Sequence, residues 1–257
     1  IIKPLKKFGA RFKSNSGKLP IIIKGTKDPK PINYYEDIGS AQTKSAIMFA
    51  ALNTKGQTII KAKKSRDHSE LLFKYLKLPI KITKKKKFDL IKIIGKKKIR
   101  SFNYKIPSDI SSSAFFIALT TLIDKSKLKI KGVNINPSRI GVIKILKMMG
   151  AKILLKNVKN YKGEKIADIF VESVKYLKAI NCPSSLNSNA IDEFLIIFLI
   201  AAKANGVSYF KNLSELNQKE SPRLKWGSKI LNKIGIKNVV TENSIKIFGN
   251  PNLKINK

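Results

Sequence analysis

Ser40-Ala41-Gln42-Thr43-Lys44-Ser45, followed by Gly56 and then by Ser65-Arg66-Asp67-His68, is the stretch on which the reading of this chain turns. It combines a small-residue helix opened by a residue able to cap it, a Gly, a short strand, and a polar loop holding one Arg ahead of a second helix. The same order returns twice. Asp109-Ile110-Ser111-Ser112-Ser113 leads to Gly132, to Asn136-Pro137-Ser138-Arg139 and to a helix ending at Gly150. Ile191-Asp192-Glu193-Phe194 leads to Gly206, to Lys219-Glu220-Ser221-Pro222-Arg223 and to a helix ending at Gly235. A pattern of this size that recurs is one α/β unit reused. Lys and Arg together number 53 but only five are Arg, and three of these, Arg66, Arg139 and Arg223, occupy the equivalent loop. Arg offers a fixed planar fork for carboxylate or phosphate that Lys lacks. The repeat therefore points to an anion site built from loops that aim backbone N–H groups and helix dipoles at one place.

Outward from that stretch, Pro4 to Ala10 reads as a helix tail closed by Gly9, and Leu19 to Gly25 as a strand. The first copy predicts a helix over 40–52, a strand over 57–61 and a helix over 67–77, with strands and turns over 80–106. The second predicts helices near 111–123 and 138–149, strands near 128–133, 152–155 and 168–172, and a polar surface loop over 156–166. The third predicts helices near 190–204 and 220–233, with strands near 207–212, 237–241 and 244–248. One unit ends and another begins between Arg100 and Pro107, where a domain crossing is expected. Helices alternating with strands define an α/β chain. No GxGxxG follows a strand and no P-loop occurs.

The net charge of +37 invites a nucleic-acid or membrane reading. Yet Lys is scattered through strands, loops and helices, and Ile and Asn are abundant beside it, as an AT-rich coding sequence gives. The run Lys84-Lys85-Lys86-Lys87 reads as a solvated connection between strands. The aromatic residues fall mostly within apolar segments, whereas a nucleic-acid scaffold needs exposed ones to stack bases. A single Cys, Cys182, excludes a disulfide framework within the chain and fits a reducing compartment. No CxxC or HExxH occurs, and the apolar run Phe194 to Ala202 is far shorter than the ~20 residues of a membrane helix.

Six motifs then fall in the order of one known family. Ser40-Ala41-Gln42-Thr43-Lys44 resembles its SAQxK, Arg66-Asp67-His68-Ser69 its RDH followed by S or T, and Pro107-Ser108-Asp109-Ile110-Ser111-Ser112 its PGDxSS. Asn136-Pro137-Ser138-Arg139 resembles NPTR, Ile191-Asp192-Glu193-Phe194 resembles IDEYP, and Lys219-Glu220-Ser221-Pro222-Arg223-Leu224 resembles KESDRL. Over nearly its whole length the chain thus resembles 5-enolpyruvylshikimate-3-phosphate synthase (3-phosphoshikimate 1-carboxyvinyltransferase), in a bacterial class II-like form similar to the glyphosate-tolerant enzymes. The resemblance implies an inside-out α/β fold of repeated βαβαββ units in two similar domains, here incomplete. Residues 1–105 form part of the first domain and 106–257 part of the second.

The resemblance also implies transfer of the enolpyruvyl group of phosphoenolpyruvate to the 5-hydroxyl of shikimate 3-phosphate, with release of phosphate and without cofactor or metal. On it, Ser40, Ala41, Gln42, Ser65, Arg66, Asp192 and Lys219 bind shikimate 3-phosphate. Gln42, Lys219 and Arg223 bind phosphoenolpyruvate, Asp192 is the base, and Glu220 carries the second proton. Gln42 and Arg66 of one lobe are expected to confront Asp192, Glu220 and Arg223 of the other. Arg139 and the 109–113 segment are expected to be structural, His68 a loop or cap hydrogen-bonder. The sibling enolpyruvyl transferase acting on a nucleotide sugar uses a loop Cys, but Cys182 precedes the Asp192 helix in the wrong unit and is expected to be inert. The implied protein is a cytoplasmic monomer that binds neither nucleic acid nor membrane. Two departures stand out. Pro222 replaces an Asp, with consequences for the aim of Arg223. The family's NSGT loop, its N-terminal Lys-Ser pair and Arg, and its C-terminal DHR motif have no counterpart, so the sequence reads as a fragment lacking both ends, inactive by itself.

Overall fold

The computed structural model describes residues 1–95, 99–218 and 221–253. Two compact units, Ile1–Tyr104 and Lys105–Lys257, divide the chain, each with its own buried apolar cluster.

Unit 1 opens with α1 (Ile2–Lys7) and an antiparallel pair, β1 (Arg11–Asn15) and β2 (Lys18–Lys24). The repeat follows: β3 (Asn33–Glu36), α2 (Ala41–Leu52), β4 (Gln57–Lys63), α3 (His68–Tyr75), β5 (Ile80–Lys84) and β6 (Phe88–Ile94). The sheet runs β3-β4-β6-β5, with β3 parallel to β4 and the remaining pairs antiparallel. Ile47, Met48, Ala51 and Leu52 of α2 pack with Ile60, Phe73, Ile91 and Ile93 to make its core.

Unit 2 holds two further copies. The first is α4 (Ile110–Leu122), β7 (Lys127–Asn134), α5 (Gly141–Met148), β8 (Lys152–Tyr161) and β9 (Glu164–Glu172), in the order β7-β9-β8. Its opening strand is reduced to a parallel bridge from Ser108 to Val133. The second is β10 (Leu177–Lys178), α6 (Phe194–Ala202), β11 (Ala204–Phe210), α7 (Arg223–Lys233), β12 (Asn238–Val240) and β13 (Ile245–Gly249). Its sheet runs β10-β11-β13-β12, with β10 parallel to β11. All three copies thus place their strands in the order first, second, fourth, third. α6 packs on α4, α5 and α7 and is apolar nearly all round, as a helix buried on every side must be.

The second helix of each copy ends in the same way. In α5, the Ala151 N–H donates to the Leu146 carbonyl and Gly150 takes φ +94°. In α7, Ile236 donates to Leu231 and Gly235 takes φ +80°. In α3, Leu78 donates to Phe73, and Lys77 adopts φ +53° where the other copies have Gly. These are Schellman-type stops, which favour the residue without a Cβ.

Several expected boundaries are corrected. Residues 156–166 are not a loop: β8 continues to Tyr161 and turns into β9, with Glu164 buried. The many Lys of β8 mark an exposed strand face, not a turn. The strands β1 and β3 were not visible in the sequence. Gly132 is not the counterpart of Gly56 and Gly206; it lies at a register shift within β7. The last helix begins at Arg223, not near 220, because Pro222 at the N-cap disfavours helical backbone at Ser221. The helix expected from 190 begins at Phe194.

Lys side chains also cover exposed aromatic rings. The Lys61 ammonium lies 5.0 Å from the ring centre of Tyr35 and 4.5 Å from that of Phe88. Among the described residues, no helix is long and apolar enough to cross a membrane, and no three His, Cys, Asp or Glu are grouped to hold a metal ion.

Candidate functional site

In unit 1 the loops before α2 and α3 meet. Ser40 caps α2 by accepting from the Thr43 N–H at 3.2 Å. Behind it, the buried Glu36 carboxylate accepts from the N–H groups of Ile38, Gly39 and Ser40, the last at 2.9 Å. This fixes the approach to the helix. Ala41, Gln42 and Ser45 of α2, Arg66 of the preceding loop, and His68 and Ser69 of α3 line a hollow of about 250 Å³. The Ser45 and Ser69 hydroxyls are 2.7 Å apart and join the two helices. Asp67 is drawn instead to Lys84, 3.6 Å away. The hollow lies at two helix N-termini and is lined by an Arg, an amide and two hydroxyls, a donor-rich set suited to an anion. Ser65 does not line it, and its Oγ is buried without a hydrogen-bond partner.

In unit 2 the equivalent loops build a charge network. Asp109 caps α4, accepting from the Ser112 N–H at 2.9 Å and from its hydroxyl at 3.0 Å. The Asn136 side chain accepts from the Ser138 N–H and donates to buried Glu164, and Asn189 donates to the Pro137 carbonyl. These bonds hold the loop that presents Arg139. Arg139 donates to the Ser111 hydroxyl, which donates to Glu193. The Arg139 guanidinium also lies 3.5 Å from Asp109, 3.8 Å from Asp192 and 3.7 Å from Glu193. From the start of α7, Arg223 donates to Asp192 at 3.3 Å. Burial pushes the Glu193 carboxyl up, against the pull of Ser111 and Arg139. Burial acts in the same direction on Asp109, but the Ser112 and Ser111 hydrogen bonds and the Arg139 charge outweigh it and leave that carboxyl lowered.

Of the residues picked out in the sequence, Ala41, Gln42 and Arg66 share one hollow, with Ser40 capping the helix beside it, and Asp192 and Arg223 share one ion pair. Lys219 and Glu220 lie outside the described residues. Sequence reasoning passed over Glu193, Glu36 and the burial of Lys44. Glu193 did leave a trace, as a second carboxylate opening an otherwise apolar helix. Cys182 is buried and its thiol is pushed up to about 11 by that burial.

This architecture is that of the enolpyruvyl transferases. The structure of the enolpyruvyl transferase NikO from Streptomyces tendae superposes with TM-score 0.66 at 13% identity, over 96% of this chain and 57% of that one, a likeness of fold alone. EPSP synthase from Acinetobacter baumannii superposes with TM-score 0.83 at 35% identity, over 96% of this chain and 56% of that one. The family model for EPSP synthase (3-phosphoshikimate 1-carboxyvinyltransferase) matches residues 1–256, and the chain belongs to that family. The 3-phosphoshikimate 1-carboxyvinyltransferase of Ruthia magnifica is 43% identical over 97% of this chain and 56% of its own length. That of Petrotoga mobilis is 38% identical over 100% of this chain and 59% of its own. The chain therefore spans a little over half the length of the curated relatives it matches.

Proposed function

We propose that the polypeptide carrying this chain is a 3-phosphoshikimate 1-carboxyvinyltransferase. It adds the 5-hydroxyl oxygen of shikimate 3-phosphate to C2 of phosphoenolpyruvate while a proton enters at the methylene carbon. The tetrahedral intermediate then loses phosphate and a proton from the new methyl group, restoring the vinyl ether. No cofactor takes part. Residues 1–105 serve as part of a first enolpyruvyl transferase domain and 106–257 as part of a second.

On this reading Ser40, Ala41, Gln42, Arg66 and Lys219 hold shikimate 3-phosphate, Ser65 with its buried Oγ does not, and Gln42, Lys219 and Arg223 hold phosphoenolpyruvate. Asp192 takes the hydroxyl proton and Glu220 serves the methylene carbon; elimination reverses both transfers. Arg139 and Arg223 orient the Asp192 carboxylate. The observation that carries the reading is the hollow at the starts of α2 and α3, whose donors suit a phosphate ester. The protein acts as a monomer in the cytoplasm and has no nucleic-acid or membrane partner.

The test is phosphate release from the two substrates by a polypeptide of the relatives' length that includes this sequence. Glu220→Gln is expected to cut turnover steeply while leaving shikimate 3-phosphate binding nearly intact. Near-normal turnover in that variant removes Glu220 from the mechanism, and no phosphate release by the unaltered polypeptide removes the assignment.

A further inference from the structure

Lys44 is the last residue of the SAQTK motif, and by charge alone it belongs at the surface or on a ligand. It does neither. Its side chain is 2% exposed and lies 2.5 Å from the Glu70 carboxylate, itself 4% exposed. Its ammonium also donates to the backbone carbonyl of Arg66 at 2.8 Å. Lys44 is not among the residues lining the hollow, and Glu70 is not either.

The three residues belong to three pieces of chain that must meet for the hollow to exist: Lys44 to α2, Arg66 to the loop after β4, and Glu70 to the first turn of α3. One ammonium group ties all three together. Burying two charges is costly, and apolar side chains of similar volume would hold the helices together as well or better. An apolar pair has no donor for the Arg66 carbonyl, however. Burial raises the Glu70 carboxyl and the Lys44 charge opposes that rise. Glu70 Oε2 is buried without a hydrogen-bond partner, so the carboxylate is committed on its other oxygen to Lys44.

We propose that the buried Lys44–Glu70 pair is a positioning device: it pins the Arg66 segment against the first turns of α2 and α3, and so sets where the Arg66 guanidinium stands relative to Gln42. Neither residue touches the ligand. The inference rests on the hollow being the shikimate 3-phosphate site, and its test separates the two ideas.

Single substitutions leave one buried charge unpaired and disturb folding. The informative variant is therefore Lys44→Met/Glu70→Leu in the 257-residue chain, compared with Arg66→Gln. Three quantities are read: the thermal midpoint, the dissociation constant for shikimate 3-phosphate by calorimetry, and backbone order over residues 64–67 by 15N relaxation. The double variant is expected to melt at or above the parent, to bind roughly tenfold or more weakly, and to show raised mobility confined to 64–67. Unchanged affinity in a folded double variant overturns the inference and leaves the function standing, as does unchanged mobility. If the parent binds no shikimate 3-phosphate and Arg66→Gln changes nothing, the reading of the hollow fails. Mobility over 64–67 then decides alone whether the pair positions Arg66. A double variant that melts well below the parent contradicts the claim that the pair serves position more than stability.

Discussion

The loops at the helix N-termini of unit 1 and unit 2 share a topology but differ in where they send their charges. In unit 1 the nearby carboxylates are turned into the fold, Glu36 onto three backbone N–H groups and Glu70 onto Lys44. The hollow that remains is lined by Arg66, Gln42, His68 and hydroxyls. In unit 2 the equivalent Arg139 and Arg223 are set against Asp109, Asp192 and Glu193. The repeat fixes where a loop points, and the carboxylates near it decide whether its Arg lines a hollow, as Arg66 does, or faces an acid, as Arg139 and Arg223 do.

The comparison can be broken most severely at Asp192. In a polypeptide of the relatives' length, Asp192→Asn is expected to lower turnover by roughly 10²- to 10⁴-fold, as loss of a general base does. Shikimate 3-phosphate affinity should fall far less, and equal losses in both would make Asp192 only a ligand. Phe73→Ala removes a fully buried ring from the unit 1 core and is expected to destabilise that unit by about 3–5 kcal/mol, read by chemical denaturation. Unit 2 has a separate core, in which Phe194, Phe198 and Phe210 pack ring to ring, so Phe198→Ala probes it independently.

Three finer tests remain. Arg66→Gln removes charge-assisted donors from the hollow and is expected to weaken shikimate 3-phosphate binding by about 1.5–3 kcal/mol, whereas Arg139→Gln should affect binding little. Equal effects would erase the distinction between the loops. Cys182 reports on unit 2 alone, being the one Cys in the sequence. Its pKa is raised from 9.0 to about 11, so the folded state holds the proton more tightly. The resulting stability is complete below pH 9 and is lost as pH rises through about 11, by roughly 2–3 kcal/mol. Cys182→Ala should abolish that loss, which denaturation midpoints across this range will show. Smallest of all, Ser40→Ala deletes the α2 cap at a cost of about 1 kcal/mol.

The repeat and its three arginines were legible because loop chemistry is local: caps, Gly stops and a rare Arg stand out in a Lys-rich chain. The α/β class followed from the alternation of helices and strands. Strand β3 was hidden because its residues Asn33–Glu36 show no clean alternation and pair only with the distant β4. The β8–β9 hairpin was hidden because an exposed strand face and a polar loop have similar composition. The burial of Lys44 was hidden, since it depends on Glu70 from another helix. Glu193 was absorbed into the apolar run it precedes, and only its meeting with Ser111 and Arg139 reveals its role.

The most direct trial of the central claim is a titration of the 257-residue chain with shikimate 3-phosphate, followed by backbone amide NMR shifts. Saturable shifts centred on Ala41, Gln42, Ser45, Arg66, His68 and Ser69 are expected. Shifts spread over the Lys-rich surface without saturation, or none near Gln42 and Arg66, would contradict it.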